Sequence, residues 1–281
     1  MIFSEAMSSL FCAVRVMRDN RNLRFVVLLL AAVALYVFSG RGKAIVNLAN
    51  LSAEEKVRAL LSVKDFDPNV SVLMATRNGQ AKKTSLEAFS NPTLRGIIAM
   101  GVPEDDELIA AELVSGTETV FIGTHDGMCI RFSHDEVREM GRQAYGVIGI
   151  RLDEGDYVVS MIKTNSETDM VLSVTERGFG KRTVVEEYRT QGRGGKGVIN
   201  VKTTEKNGKV VAIMQVQEDS DVLVMTANGK LIRVSSQHIR AVGRATQGVR
   251  LIQLEEDDKV TAAPRIEPEG KSEDQVNPTV N

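Results

Sequence analysis

The 281 residues are 43% hydrophobic and 26% charged, contain no Trp and carry a formal net charge of −2. This composition suits one large or two ordinary globular domains and excludes a disordered or collagen-like chain. Two distant cysteines, Cys12 and Cys129, and three histidines, His125, His134 and His238, form no disulfide framework or metal-ligand spacing, and the body of the chain reads as a reducing-compartment protein.

Residues 1–39 differ from the rest of the chain, with no Gly, Pro or Lys. Arg15, Arg18, Arg21 and Arg24 precede an unbroken apolar run, Phe25 to Phe38. A basic flank before an apolar stretch is the pattern of a signal peptide or membrane anchor. The run is shorter than the roughly 20 residues a membrane span needs, and no Ala-x-Ala cleavage pattern follows. Three readings stand for this segment: an artefact or foreign fusion, a targeting segment or anchor, or a buried element.

From Gly40 onward the chain repeats itself. Four segments begin with an apolar run and reach Thr-x-x-Gly: VLMATRNG from Val72, VFIGTHDG from Val120, VLSVTERG from Val171 and VLVMTANG from Val222. Their glycines, Gly79, Gly127, Gly178 and Gly229, lie 48, 51 and 51 residues apart. A second glycine follows in each, at Gly96, Gly146, Gly197 and Gly248, and a third landmark is Asp106, Asp156 and Asp258, with Asn207-Gly208 in the remaining copy. Self-similarity at this period marks a repeat fold. β-Branched runs around Asn-Gly or Asp-Gly turns predict hairpins. GVIGIRL and GVRLIQL alternate as strands do.

The expected fold is therefore all-β, a propeller-like array of about 50-residue, four-stranded blades, with about four complete blades. The stretch AIVNLANL from Ala44 matches the back of a preceding blade whose front half is absent from residues 1–39 as a Thr-x-x-Gly turn, so a half blade is expected first. Ser52-Ala53-Glu54-Glu55 resembles a capping box, but its register matches Glu104 to Glu107, which predicts continuation of the repeat. Domain boundaries are placed at 1–39, 40–266 and 267–281, the last a short polar tail. Residues 255–281 hold eight acidic residues against Lys259, Arg265 and Lys271, and this end is expected to compete with nucleic acid for basic surface.

Cations recur in register. One set follows the first turn glycine: Lys82, Lys83, Arg131, Lys181, Arg182 and Arg233. A second precedes the second glycine: Arg142, Arg193 and Arg244, with Arg95 displaced. Equal register in successive repeats places side chains on one face. The two sets then predict a basic stripe suited to a phosphate backbone, with the bases unread.

The segment from Gln191 to Gly197 is the richest in chemistry. Gly192, Gly194, Gly195 and Gly197 let backbone N–H groups approach closely, and Arg193 and Lys196 add charge, a combination suited to phosphate oxygens. Gly192-x-Gly194-x-x-Gly197 also matches the dinucleotide fingerprint, but the β-rich VINVKT follows where a helix should start. Lys196 precedes Gly197, not Ser or Thr, so a P-loop is excluded. The plainer reading is a glycine-rich turn between blades.

Gln191-Gly192-Arg193-Gly194-Gly195-Lys196-Gly197 resembles the signature box of gyrase A subunits, Gln-Arg-Arg-Gly-Gly-Lys-Gly, departing from it only at Gly192. GRGKAIVNL from Gly40, GFGKRTVVEEYRTQ from Gly178 and VGRATQGVRLI from Val242 resemble the same family. The resemblance implies a β-pinwheel C-terminal domain, N-terminally truncated, that binds and wraps duplex DNA to support ATP-dependent negative supercoiling. It further implies gyrase B-type and full-length A-type partners, a cytoplasmic setting, and no catalytic tyrosine, metal or cofactor in this chain; ATP and Mg would serve other parts of the holoenzyme. In the family the principal box lies in the first blade, whereas here the register places it in the penultimate one. Two alternatives are weighed: a topoisomerase IV A-type C-terminal domain, and a membrane-anchored interaction scaffold requiring residues 1–39 as anchor. An enzyme with its own active site is disfavoured, because no triad, metal set or carboxylate pair stands out.

Overall fold

Each Thr-x-x-Gly closes a tight turn. Gly79 donates its N–H to the Thr76 carbonyl at 3.1 Å, and Gly178 and Gly229 do the same to Thr175 and Thr226 at 3.0 and 3.1 Å. At Gly79 φ is +85°, a left-handed conformation that glycine adopts without a Cβ penalty. The computed structural model describes residues 10–19, 22–30, 56–92 and 96–266.

The strands follow the repeats in chain order. A first hairpin, β1 (Leu10–Asp19) and β2 (Asn22–Leu30), is followed by β3 (Lys56–Val63). The first landmarked repeat gives β4 (Ser71–Thr76), β5 (Gln80–Ser85), β6 (Ile97–Gly101) and β7 (Leu108–Val114). The second gives β8 (Thr119–Thr124), β9 (Met128–Ser133), β10 (Val147–Ile148) and β11 (Val158–Thr164). The third gives β12 (Met170–Thr175), β13 (Phe179–Val184), β14 (Val198–Ile199) and β15 (Val210–Val216). The last gives β16 (Asp221–Thr226), β17 (Leu231–Ser235), β18 (Val249–Arg250), β19 (Val260–Ala262) and β20 (Arg265–Ile266).

The sheets do not follow the repeats. Their orders are β3-β1-β2-β6, β10-β5-β4-β7, β11-β8-β9-β14, β15-β12-β13-β18 and β17-β16-β19, with β20 also on β16. In each landmarked repeat the strand after the second glycine leaves its own hairpin and pairs with the hairpin before it. Val147 and Ile148 face Ala81 and Gln80, and Val249 and Arg250 face Gly180 and Phe179. The next strand returns to its own hairpin, as β7 does to β4. Every sheet but the last is thus completed by an arm from the following repeat.

The expected half blade is a full sheet here. β1 and β2 pair from Phe11↔Leu30 to Asp19↔Asn22, and the hairpin is flanked by β3 and β6. The sequence between β1 and β2 carries no Thr-x-x-Gly, so a search for that motif does not find this hairpin. The open position lies at the other end of the array, where among the described residues no arm pairs with β17. β3 follows the repeat register. The motifs AIVNLANL and Ser52 to Glu55, Arg95 and the tail from 267 lie outside the described residues. No helix among the described residues is long and apolar enough to cross a membrane.

The chain forms two compact units. One comprises Met1–Thr124, Cys129–Asn165 and Thr190–Val198; the other comprises His125–Met128, Ser166–Arg189 and Ile199–Asn281. In the first, β4 is buried along its whole length because alternate residues serve two cores. Val72 and Met74 pack with Leu61, Phe89 and Met100, whereas Leu73 and Ala75 pack with Ile122, Ile130 and Phe132. The second unit has a core of Leu172, Val174, Val222, Val224, Ile252 and Val260. Its β16 is buried only at alternate positions, as expected for a strand covered on one face.

Candidate nucleic-acid interface

Three six-residue loops lead into the short arms β10, β14 and β18: Gly141 to Gly146, Gly192 to Gly197 and Gly243 to Gly248. Each reads Gly-Arg-x-x-x-Gly at a step of 51. The closing glycine is forced. A Cβ on Gly197, where φ is +77°, would overlap the Cys129 carbonyl oxygen on β9, and one on Gly248 would lie 2.6 Å from Gly180 O. The arm backbone has to lie this close to pair with the preceding hairpin.

The two later loops hold their arginines in the same way. Arg193 Nη1 donates to Ile148 O and Arg244 Nη1 donates to Ile199 O, both at 3.2 Å. Each guanidinium is therefore anchored on the arm one repeat earlier. Arg193 is held further by Nε donating to Glu136 O at 2.8 Å and by its backbone N–H donating to Glu136 Oε2 at 2.8 Å. Gly194 N–H donates to Gly149 O at 2.6 Å, and Gln191 N–H to Arg131 O at 2.9 Å. Lys196 Nζ donates to Asp153 Oδ1 at 2.5 Å, with both side chains mostly in solvent. In and beside these two loops, two buried donors have no hydrogen-bond partner, Gln191 Nε2 and Arg244 Nε.

The expected stripe divides. Arg193 and Lys196 are exposed, Arg142 and Arg244 are half-buried, and all four belong to the arm loops. The set after the first turn glycine is mostly turned inward. Lys82, Lys83, Arg131 and Lys181 are 0%, 7%, 5% and 1% exposed, which contradicts the expectation that this whole set lies open on one edge. Their heads meet carbonyls and hydroxyls. Lys82 Nζ donates to Ala99 O at 2.6 Å and to Arg142 O. Lys181 Nζ donates to Thr183 Oγ1, Gly243 O and Arg244 O at 2.9, 3.0 and 2.5 Å. Lys83 Nζ donates to His134 O at 3.1 Å and pairs with Asp135 at 3.4 Å. Arg131 Nε donates to Thr119 Oγ1 at 2.9 Å, and Arg182 Nε to Ile239 O at 2.7 Å. Arg233, on exposed β17, pairs with Asp221 at 2.5 Å.

The reason is the strand exchange. An arm laid across a hairpin brings unpaired carbonyls, and a buried carbonyl without a donor costs about 1–3 kcal/mol. Lys82 and Lys181 supply donors to the loops that enter their own sheets. Burial, with Arg142 nearby, lowers the Lys82 ammonium to about 7. Lys82 and Lys181 each tie down the arm loop of their own sheet, and those loops carry Arg142 and Arg244.

Sequence reasoning missed the acidic partners Glu136 and Asp153. A signal existed for the first: Glu136 recurs as Glu187 at the same step of 51. Glu187 Oε2 would lie 3.9 Å from a Cβ on Gly243, as Glu136 Oε2 would lie 3.6 Å from one on Gly192. The third landmark is structural. Asp106 Oδ1 accepts the Asn78 and Glu107 N–H groups at 2.8 Å each, and Asp258 Oδ1 accepts those of Asn228 and Lys259 at 3.1 and 2.9 Å. Each carboxylate fastens the hairpin turn of its own repeat. Among the described residues no group of three or more His, Cys, Asp or Glu could hold a metal.

A family model described as DNA gyrase C-terminal domain, beta-propeller, matches residues 71–115, 118–165, 169–217 and 220–263, one segment for each landmarked repeat. Curated relatives include the DNA gyrase A subunit of Salmonella typhimurium, 44% identical over 226 residues, covering 80% of this chain and 26% of the relative. That of Helicobacter pylori strain 26695 is 45% identical over 213 residues, covering 75% and 26%. The chain thus spans about a quarter of the length of these relatives. A crystal structure of the C-terminal domain of DNA topoisomerase IV superposes with a TM-score of 0.80 at 22% identity, covering 93% of this chain and 80% of that one. A DNA gyrase A C-terminal domain superposes with 0.74 at 22% identity, covering 92% and 83%. Both likenesses concern the fold.

Proposed function

The chain belongs to the DNA gyrase C-terminal domain family, and from that premise we propose that it binds double-stranded DNA through phosphates, without reading bases, and bends it. The observation that carries this is the recurrence of Gly-Arg-x-x-x-Gly loops. Their arginines Arg193 and Arg244 are anchored by Nη1 on a neighbouring carbonyl, which leaves other N–H groups of a planar fork for phosphate oxygens. Arg142, Arg193, Lys196 and Arg244 are the principal contacts, with Arg182 and Arg233 at the flanks. Lys82 and Lys181 act by holding the loops, while Lys83 and Arg131 brace the 3-10 turn and the strand that they contact. The glycines from Gly192 to Gly197 and Gln191 let the duplex approach the backbone.

Bending a site of 20–30 base pairs by 40–90° costs on the order of 1–6 kcal/mol, which added phosphate contacts offset. As part of the gyrase holoenzyme such a bend supports ATP-dependent negative supercoiling, in the cytoplasm, with gyrase B-type and full-length A-type partners supplying ATP hydrolysis, Mg and strand cleavage. The 44% identity to a gyrase relative favours this setting over topoisomerase IV. The test is binding of the full chain to long mixed-sequence duplexes over a salt series. With roughly six phosphates engaged, affinity should fall about a thousandfold between 50 and 200 mM salt and be indifferent to sequence. Absence of binding at low salt would overturn the reading.

A further inference from the structure

One cation and one backbone amide of the Gly192 to Gly197 loop are already bonded to the protein's own carboxylates. Glu136 Oε2 accepts the backbone N–H of Arg193 at 2.8 Å, and Asp153 Oδ1 accepts from Lys196 Nζ at 2.5 Å. Glu136 stands on the short 3-10 turn His134–Glu136 after β9, and its oxygen is the nearest atom over Gly192, at 3.6 Å from the place a Cβ would take. Asp153 follows the arm β10 and is largely in solvent. An anion therefore sits at each of the places where a backbone amide and an ammonium would meet phosphate oxygens.

We propose that Glu136 and Asp153 are built-in competitors for the phosphate-binding loop, and that they set its affinity because DNA has to displace them. This rests on the DNA-binding function proposed for the same loop and deepens it. A carboxylate oxygen and a phosphate oxygen make the same charge-assisted hydrogen bonds to N–H and N⁺–H donors, so one replaces the other without new geometry. Both pairs lie at the surface, where such contacts are weak and exchangeable. Arg193 does not lose its place when the carboxylate leaves, since Glu136 O and Ile148 O, both backbone, still hold the guanidinium. In the absence of DNA the Arg193 N–H and the Lys196 ammonium are both occupied, and they become available to a polyanion able to outcompete the two carboxylates, while the Arg193 guanidinium stays held by backbone carbonyls.

The test uses the full chain with Glu136→Gln and Asp153→Asn, singly and together, against a mixed-sequence linear duplex at about 0.1 M salt. Both amides keep an oxygen that accepts the same hydrogen bond, so the loop is retained while the charge is lost. Glu154→Gln is the control: it makes the same change in net charge next to Asp153, the residue that pairs with Lys196. Each of the first two variants should tighten binding about two- to fivefold, and the double variant by about the product. The control should gain distinctly less, because Glu154 is not the partner of Lys196 and its loss of charge releases no donor of the loop. Equal gains in all three would reduce the effect to net charge and overturn the proposal. Weaker binding by Glu136→Gln or Asp153→Asn would make the carboxylates braces and overturn it as well. Failure of the native chain to bind any duplex would instead overturn the DNA-binding reading.

Discussion

The loops Gly192 to Gly197 and Gly243 to Gly248 stand at the same place in consecutive repeats, and they agree and differ in separate respects. They share what the arm needs: a closing glycine pressed against a carbonyl of the preceding hairpin, and an arginine hung on an isoleucine carbonyl of the preceding arm. They differ in what a ligand would meet. The first has Gly194, Gly195 and Lys196, with Glu136 and Asp153 bonded to it. The second has Ala245, Thr246 and Gln247, and Asn207 Nδ2 donates to Gln247 O at 3.2 Å. Frame and charge are thus separable, and substitutions can address either one.

Breaking the frame has the largest effect. Gly197→Ala places a Cβ at positive φ against the Cys129 carbonyl, and a strand backbone cannot move aside cheaply. The arm detaches from β9 at an expected cost of about 3 kcal/mol or more. Gly248→Ala, against Gly180 O at 2.6 Å, should behave alike. Gly194→Ala shares the positive φ but would have 3.3 Å to Ile148 O, so only the conformational cost of about 1–2 kcal/mol remains. Urea unfolding of the three variants checks this. A mild Gly197→Ala would mean that the exchanged strand contributes little.

Removing charge while keeping the closing glycines comes next. Each phosphate contact contributes a salt slope of about 0.9, or about eightfold in affinity at 0.1 M salt. Arg193→Ala with Lys196→Ala should lower duplex affinity about sixtyfold and the slope by about two. Arg244→Ala should lower affinity about eightfold and the slope by about one. Equal losses would erase the distinction between the loops.

Much of this was legible in the sequence. The glycine periods located every landmarked hairpin, because a tight turn requires Gly79 or its equivalents at left-handed φ. The loop of the box was found because glycine and arginine recur there. The strand exchange was not legible: alternation in GVIGIRL marks a strand but carries no record of which hairpin it joins. The burial of the lysines was partly legible. The register of Lys82 and Lys181 is that of Ile130 and Ile232 in the other two repeats, and a column shared with isoleucine marks a position on an apolar strand. Reading the cations alone, without their column, put these lysines on the surface. The first hairpin was hidden because it lacks the motif that identified the others.

The smallest effect tests the landmark that differs between the two repeats, acidic at Asp258 and neutral at Asn207. Burial alone would raise the Asp258 carboxyl, but hydrogen bonds from Thr226, Asn228 N–H and Lys259 N–H, with the charge of Lys230, outweigh it and hold the group below its usual 3.8. A carboxyl whose pKa is depressed by folding contributes stability that is present above the unfolded value and is lost as pH falls through the folded one. Asp258→Asn keeps an acceptor oxygen and removes the ionisation. The native chain should therefore exceed the variant in urea midpoint by a small, constant margin at neutral pH, and that margin should shrink as pH drops below 3.8. Asn207 has no proton to gain, so substituting it would leave the acid limb unchanged in shape. A margin at Asp258 that does not respond to pH would mean that the turn is held by the acceptor oxygen alone and that the ionisation contributes nothing.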